Sequence, residues 1–129
     1  MKKKKILIVD DEQNVRQLIG KVLEKEGYEI SYACDGREGL DIFHKKNIDL
    51  IISDIKMPEM SGIEFLHEVK KQEPDIDFIL ITAFATMETA IEAIKNGAQD
   101  YVTKPFDIKE IVDAVKKYLY LPSMTKILL

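Results

Sequence analysis

The chain has 129 residues, enough for one domain with a single hydrophobic core and too few for two. Hydrophobic residues make up 46% and charged residues 33%, the mix of an ordinary soluble globular chain, and the net charge of −4 argues against direct contact with a nucleic-acid backbone, which asks for a basic face. The basic head of MKKKKILIVDD is followed by too short an apolar run for an export signal (roughly 7–15 residues), and no stretch nears the roughly 18 apolar residues of a membrane span, so the lysines read as a solvated terminus and no membrane partner is expected.

Taken in chain order, KILIV (5–9) is a short apolar run of strand type. After Asp10, Asp11 and Glu12, the residues Val15, Leu18, Ile19, Val22 and Leu23 recur at helical spacing and predict a first helix with one buried face. Gly27 stands where a glycine closes a helix, and EISYA (29–33) predicts a second strand. Cys34 follows it. As the single cysteine it permits no internal disulfide, suits a reducing cytoplasm, and reads as a small packed side chain. Asp35-Gly36 reads as a turn. A weaker second helix carries Leu40, Ile42 and Phe43. DLIIS (49–53) is the third strand, and Ile63, Phe65, Leu66 and Val69 populate the third helix. His44 and His67 lie in polar helical surroundings without a partner at metal-ligand spacing, and read as surface residues. DFILI (77–81) is the fourth strand, Ala90, Ile91 and Ile94 mark the fourth helix, and Gly97 closes it. DYVT (100–103) is the fifth strand, and Ile108, Ile111, Val112 and Val115 mark the fifth helix. Pro122 ends that helical region. Residues 1–121 read as one domain, and residues 122–129, where SMTKILL has no periodicity, as a tail or the start of a linker.

Strands alternating with helices imply parallel pairing, because each crossover is a helix. The near-continuous apolar strands imply a sheet covered on both faces. The expected fold is therefore α/β, a three-layer α/β/α sandwich on a five-stranded parallel sheet.

In open parallel sheets ligands bind outside the carboxyl ends of the strands. Asp10, Asp11 and Glu12 follow the first strand, Asp54 the third, Thr82 the fourth and Lys104 the fifth. Each has a plain alternative: a helix-capping acid, a loop carboxylate, a helix-entry hydroxyl, a solvated ammonium. All of them at once, each at a strand end, point to a shared cleft. Clustered carboxylates repel, so some must protonate or a cation must join them. With hard oxygen donors and no His or Cys near, that cation is Mg²⁺, and Mn²⁺ can take its place. Mg²⁺, Lys104 and Thr82 together make a site for a phosphoryl group arriving at a carboxylate, which can itself be the nucleophile.

The pieces ILIVDDE, DLIISDIKMPEMSGIEFL, FILITA and DYVTKPF, at these spacings, closely resemble the receiver domain of bacterial two-component response regulators, the CheY-like family, over about residues 5–119. The resemblance implies the flavodoxin/CheY-like strand order 2-1-3-4-5. It makes Asp54 the phospho-acceptor, and Asp10, Asp11, Asp54 and the backbone carbonyl of Lys56 the Mg²⁺ site, with Asp11 the direct ligand of the acidic pair, Asp10 acting through water, and the Lys56 side chain pointing away. Lys104 then pairs with the phosphoryl oxygens, Lys104–Pro105 is cis, and Pro58 and Gly62 shape the turn into the third helix. Thr82 and Tyr101 correspond to a switch pair. The hydroxyl is drawn to the phosphoryl group, the loop after the fourth strand closes, and the ring swings inward; a half-buried ring that never moves is the alternative.

The resemblance also implies partners. A sensor histidine kinase would dock on Asn14, Arg16, Gln17, Pro105 and Phe106. An output domain or downstream protein would read the fourth helix, fifth strand and fifth helix, and two chains could pair through the fourth and fifth helices on activation. Phe84 and Lys56, two residues past Thr82 and Asp54, are where the family tunes phosphoryl lifetime, Phe84 by restricting water. The stretch ITAFATMETAIEAIKNGAQDYVTKPFD further resembles receivers attached to enhancer-binding transcription activators, although no ATPase or DNA-binding segment is present. The chain thus reads as a stand-alone receiver or the regulatory domain of a larger protein. It is not an enzyme beyond catalysing its own phosphorylation and dephosphorylation. A flavodoxin would need a phosphate-binding loop where Asp10-Asp11-Glu12 would repel phosphate, and a haloacid-dehalogenase-like phosphatase would need an aspartate where Lys56 stands. The remaining alternative is a phosphorylation-independent protein-binding module of receiver-like fold.

Overall fold

Strands and helices alternate along the computed structural model, which describes residues 3–120: β1 (Lys5–Val9), α1 (Gln13–Lys25), β2 (Glu29–Ala33), α2 (Gly36–Lys45), β3 (Leu50–Asp54), α3 (Gly62–Gln72), β4 (Asp77–Thr82), α4 (Met87–Lys95), β5 (Asp100–Thr103) and α5 (Ile108–Tyr120). The expected breaker Pro122 and the tail 122–129 lie outside the described residues. All pairings are parallel, in the order β2-β1-β3-β4-β5. This is the architecture and the strand order that the sequence and its resemblance lead one to expect.

Alternate residues of each strand point to opposite faces, so the apolar strands feed two cores. On one face Ile6, Ile8, Ile52 and Ile79 meet Ile19 and Leu23 of α1 and Ile111 and Val115 of α5. On the other Leu7, Val9, Ile51, Phe78 and Leu80 meet Phe43 of α2, Phe65, Leu66 and Val69 of α3, and Ala93 of α4. Phe65 and Phe78 pack edge to face with centroids 5.6 Å apart. The glycines that close α1 and α4 do so as expected, with Gly27 at φ +99° and Gly97 at φ +94°.

Four local expectations are corrected. Leu18 is 52% exposed, and the buried face of α1 runs through Ile19, Gly20 and Leu23. Ile91 and Ile94, which mark α4, are 46% and 71% exposed, and Ala93 faces the core in their place. Asp35-Gly36 is a helix start rather than a free turn, because the Asp35 carboxylate caps α2 by accepting from the Glu38 N–H at 2.8 Å. Cys34 is exposed, lying beyond the last covered residue of β2. His44 and His67 are exposed, as expected.

Candidate functional site

The sheet register assembles the site. Val9 pairs with Ser53, so the next residues, Asp10 and Asp54, stand side by side at the carboxyl ends of β1 and β3. Asp54 pairs with Ile81 and Thr82 with Thr103, which brings Lys104 to the same edge. The Lys104 N–H donates to the Thr82 carbonyl at 2.7 Å, and the Lys104–Pro105 peptide is cis, as the resemblance implies. β1 connects outward to β2 while β3 connects to β4 on its other side, so the cleft lies where the strand order reverses.

Within it, Lys104 Nζ lies 3.0 Å from Asp10 Oδ2, 3.3 Å from Asp54 Oδ2 and 3.4 Å from Glu12 Oε1. Asp10, Asp54 and Thr82 are buried, whereas Asp11 and Glu12 are exposed. Asp10 Oδ1 accepts from the Glu12 N–H at 2.9 Å. The backbone of Asp54 is fixed as well: its carbonyl accepts from Ser53 Oγ at 2.9 Å, and the next N–H, of Ile55, donates to Ile81 O at 3.1 Å. The chain then turns through Pro58 and through Glu59, whose φ is +65°. It returns so closely that the Gly62 N–H donates to Ile55 O at 2.7 Å. A Cβ on Gly62 would overlap the Asp54 carbonyl oxygen, so only glycine fits there. Ser61 and Glu64 then start α3 as a reciprocal capping box.

Burial pushes the Asp54 carboxyl above the ordinary carboxylate range; Asp10 adds to the rise, and Lys104 opposes it. Burial likewise raises Asp10, against the Glu12 N–H and Lys104. Burial would lower the Lys104 ammonium, but its hydrogen bond to Asp10 and the charges of Asp10 and Asp54 outweigh that and raise it. One lysine therefore serves two buried carboxylates that it does not fully neutralise. Oxygens of Asp10, Asp11, Glu12 and Asp54 lie within 4.8 Å of one another, a hard-oxygen donor set that fits Mg²⁺. Glu12, noted in the sequence only as a strand-end acid, belongs to this group by position.

Around the cleft, Thr82 Oγ1 accepts from the Phe84 N–H at 3.0 Å. Tyr101 is half-buried, and its hydroxyl lies 2.7 Å from Thr89 Oγ1 in the first turn of α4, a partner that the sequence reading missed. The Thr86-Met-Glu-Thr89 spacing is visible in the sequence as a helix start, but only the fold brings it to Tyr101. Lys56 and Phe84 both line the cleft, and the Lys56 side chain lies over the Phe84 ring with Nζ 4.3 Å from the ring centre. Of the residues read as a kinase-docking patch, Asn14, Gln17 and Pro105 are exposed, Phe106 packs in part on the α1/α5 core, and Arg16 is half-buried with Nη1 donating to Asp10 O at 2.6 Å.

Residues 6–116 match the family model described as response regulator receiver domain. The chain belongs to that family. The receiver is 45% identical to regulatory protein AtoC of Escherichia coli over 95% of its own length, and 45% identical to sporulation initiation phosphotransferase F of Bacillus subtilis, again over 95%. It spans 26% of the length of the first and 99% of the second. Among solved structures, response regulator protein TrrA of Thermotoga maritima, determined in complex with Mg²⁺–BeF, is 42% identical with a TM-score of 0.81, over 89% of this chain and 98% of that one. Receivers are phospho-acceptor signalling modules of two-component systems rather than enzymes in the usual sense; they bind Mg²⁺ at the acidic cluster and work with histidine kinases and output domains. Among the described residues no helix is long and apolar enough to cross a membrane.

Proposed function

We propose that this receiver takes a phosphoryl group from a sensor histidine kinase onto Asp54 and that the acyl phosphate shifts a two-state equilibrium read by an output domain or downstream protein. The observation that carries this is the placement of one ammonium, Lys104, within 3.3 Å of both Asp10 and Asp54 at the strand edge. A carboxylate oxygen of Asp54 attacks phosphorus in line. The bond from phosphorus to the kinase imidazole nitrogen breaks, and its electron pair stays on that nitrogen. Lys104 faces the position of the incoming oxygens and donates to them, and the Thr82 hydroxyl supplies a further donor. Mg²⁺ or Mn²⁺, held by Asp10, Asp11, Asp54 and the Lys56 carbonyl, would offset the charge of the carboxylates and the phosphoryl oxygens; the Mg²⁺–BeF complex of the relative TrrA supports this assignment. In dephosphorylation water attacks phosphorus, the phosphorus–oxygen bond to Asp54 breaks, and the carboxylate leaves with its electron pair as inorganic phosphate is released; catalysis is confined to the chain's own phosphorylation and dephosphorylation.

Thr82 and Tyr101 form the switch. Asn14, Arg16, Gln17, Pro105 and Phe106 border the site for the kinase, and α4, β5 and α5 face the output, which we take to be transcriptional. The exposure of Met87, Ile91 and Ile94 on α4 supports that output face, for one partner or for a second chain on activation. A reducing cytoplasm suits the exposed, unpaired Cys34. The test is exposure to acetyl phosphate with Mg²⁺: intact mass should rise by one phosphoryl group, and Asp54→Asn should abolish the rise. Equal modification of both chains would sink the proposal and leave a phosphorylation-independent binding module.

A further inference from the structure

The acidic loop between β1 and α1 is held in an unusual way. α2, α3 and α4 are each preceded by a side-chain cap, from Asp35, Ser61 and Thr86, but Glu12, the residue before α1, makes no side-chain cap bond. Another tie secures this loop. Arg16 leaves the first turn of α1 and reaches back, and its Nη1 donates to the Asp10 carbonyl at 2.6 Å. On the other side of the same residue, the Asp10 N–H donates to Ala33 O at 3.2 Å. Asp10 Oδ1 accepts from the Glu12 N–H at 2.9 Å. Asp10 is thus fixed at its N–H, its carboxylate and its carbonyl, and the carbonyl bond sets the plane of the Asp10–Asp11 peptide. That plane fixes the backbone from which the exposed Asp11 side chain departs. A charged, planar donor gives a directional bond, stronger than one from a neutral group.

We infer that Arg16 is a positioning residue: it orients the Asp10–Asp11 pair toward Asp54 and thereby sets the affinity of the acidic cluster for a divalent cation. This rests on the reading that the cluster holds such a cation, and it moves Arg16 from the kinase-docking patch to the support of the site. Groups that hold metal ligands in place typically matter about 10- to 100-fold in metal affinity.

Calorimetric titration of the full chain with Mg²⁺ alone tests this, using the unaltered chain, Arg16→Ala, Arg16→Lys and Lys25→Ala, the last removing an equal charge from the far end of α1. Arg16→Ala should weaken Mg²⁺ binding about 10-fold, and Arg16→Lys about 3-fold, because an ammonium keeps the charge without the fork. Lys25→Ala should bind as the unaltered chain does. With acetyl phosphate, the Mg²⁺ concentration for half-maximal labelling of Arg16→Ala should rise by the same factor, while the rate at saturating Mg²⁺ is kept. Should Arg16→Ala not fold, Arg16→Lys carries the test. If the folded variants bind Mg²⁺ as tightly as the unaltered chain and lose only kinase-dependent transfer, Arg16 is a docking residue and the inference is overturned. If the unaltered chain itself binds no Mg²⁺, the metal reading fails and takes this inference with it.

Discussion

Lys104 and Asp54 are 50 positions apart in the chain and 3.3 Å apart in space, and the same ammonium holds Asp10 at 3.0 Å. Two buried carboxylates thus share one cation. Burial of the two carboxylates raises both, and the single ammonium only partly offsets this. The charged cleft costs folding stability and is available for a metal and a phosphoryl group to relieve.

The first prediction concerns pH. A carboxyl raised by folding gives stability that is complete below its unfolded value of about 3.8 and is lost as pH rises through its folded value. Neutralising Asp54 should therefore stabilise the metal-free receiver at pH 7 and give little benefit near pH 3.5. Asp54→Asn, which leaves Lys104 paired with Asp10 and Glu12, should gain on the order of 1 kcal/mol at pH 7, about 4 °C in Tm. The raised Lys104 has the same sign at the other end of the scale: its contribution is complete below 10.5 and is lost as pH rises through its folded value. Thermal unfolding of both chains in chelator across pH 3.5–10 checks this; a gain that does not shrink on acidification would contradict it.

Gly62→Ala should damage the site from a distance. The added Cβ would overlap the Asp54 carbonyl oxygen, which is backbone and cannot swing aside. Overpacking of this kind costs about 1–3 kcal/mol. Because the strain falls on Asp54 itself, acetyl-phosphate labelling at a temperature well below Tm should slow as well. Denaturant unfolding read beside labelling rates separates the two effects.

Much of this site was legible because strand-end position alone selects its members. Asp10, Asp54, Thr82 and Lys104 each stand at or just past the end of an apolar run, and parallel pairing brings such ends together. Helical period, by contrast, marks an apolar stripe without saying what covers it. On α4 the larger residues Ile91 and Ile94 face outward, and the small Ala93 is the residue buried against the core. Leu18 was misplaced for a similar reason, since the true stripe of α1 runs through a glycine that hydropathy does not reward: Gly20 lies under the Tyr32 ring. The bonds from Arg16 to Asp10 O and from Tyr101 to Thr89 depend on tertiary placement, and no sequence spacing encodes them.

The mouth of the cleft should set how long the phosphoryl group lasts. Lys56 Nζ over the Phe84 ring joins the loops after β3 and β4 across the opening. An exposed contact of this kind is worth about 0.5–1 kcal/mol, which corresponds to about a 2- to 5-fold change in how often the mouth stands open. Phe84→Ala and Lys56→Ala should each speed loss of the phosphoryl group by about that factor, and the double variant should add little to either. Phosphate release after removal of excess acetyl phosphate gives the rates; unchanged hydrolysis in Phe84→Ala would exclude a shielding role for the ring.

The last prediction concerns the hydroxyl of Tyr101. At 2.7 Å from Thr89 Oγ1 it ties β5 to the first turn of α4, where Thr89 already exchanges bonds with Thr86: each N–H donates to the other's Oγ1 at 3.1 Å. If the ring must leave this position when Thr82 is drawn to a phosphoryl group, the bond stabilises the unphosphorylated state alone. Tyr101→Phe keeps the ring and removes the bond, worth about 1 kcal/mol. The unphosphorylated population should then move about 5-fold toward the alternative conformation, because a contact made in one state biases the equilibrium by its full differential energy. Thr89→Val, which also removes the partner hydroxyl, should move it in the same direction but additionally weaken the start of α4. Methyl NMR shifts of Thr82 and Thr103 in the metal-free Tyr101→Phe receiver should lie between those of the unphosphorylated and phosphorylated unaltered chain. Shifts identical to the unphosphorylated form would mean that the Tyr101–Thr89 bond survives switching, and that the ring does not move.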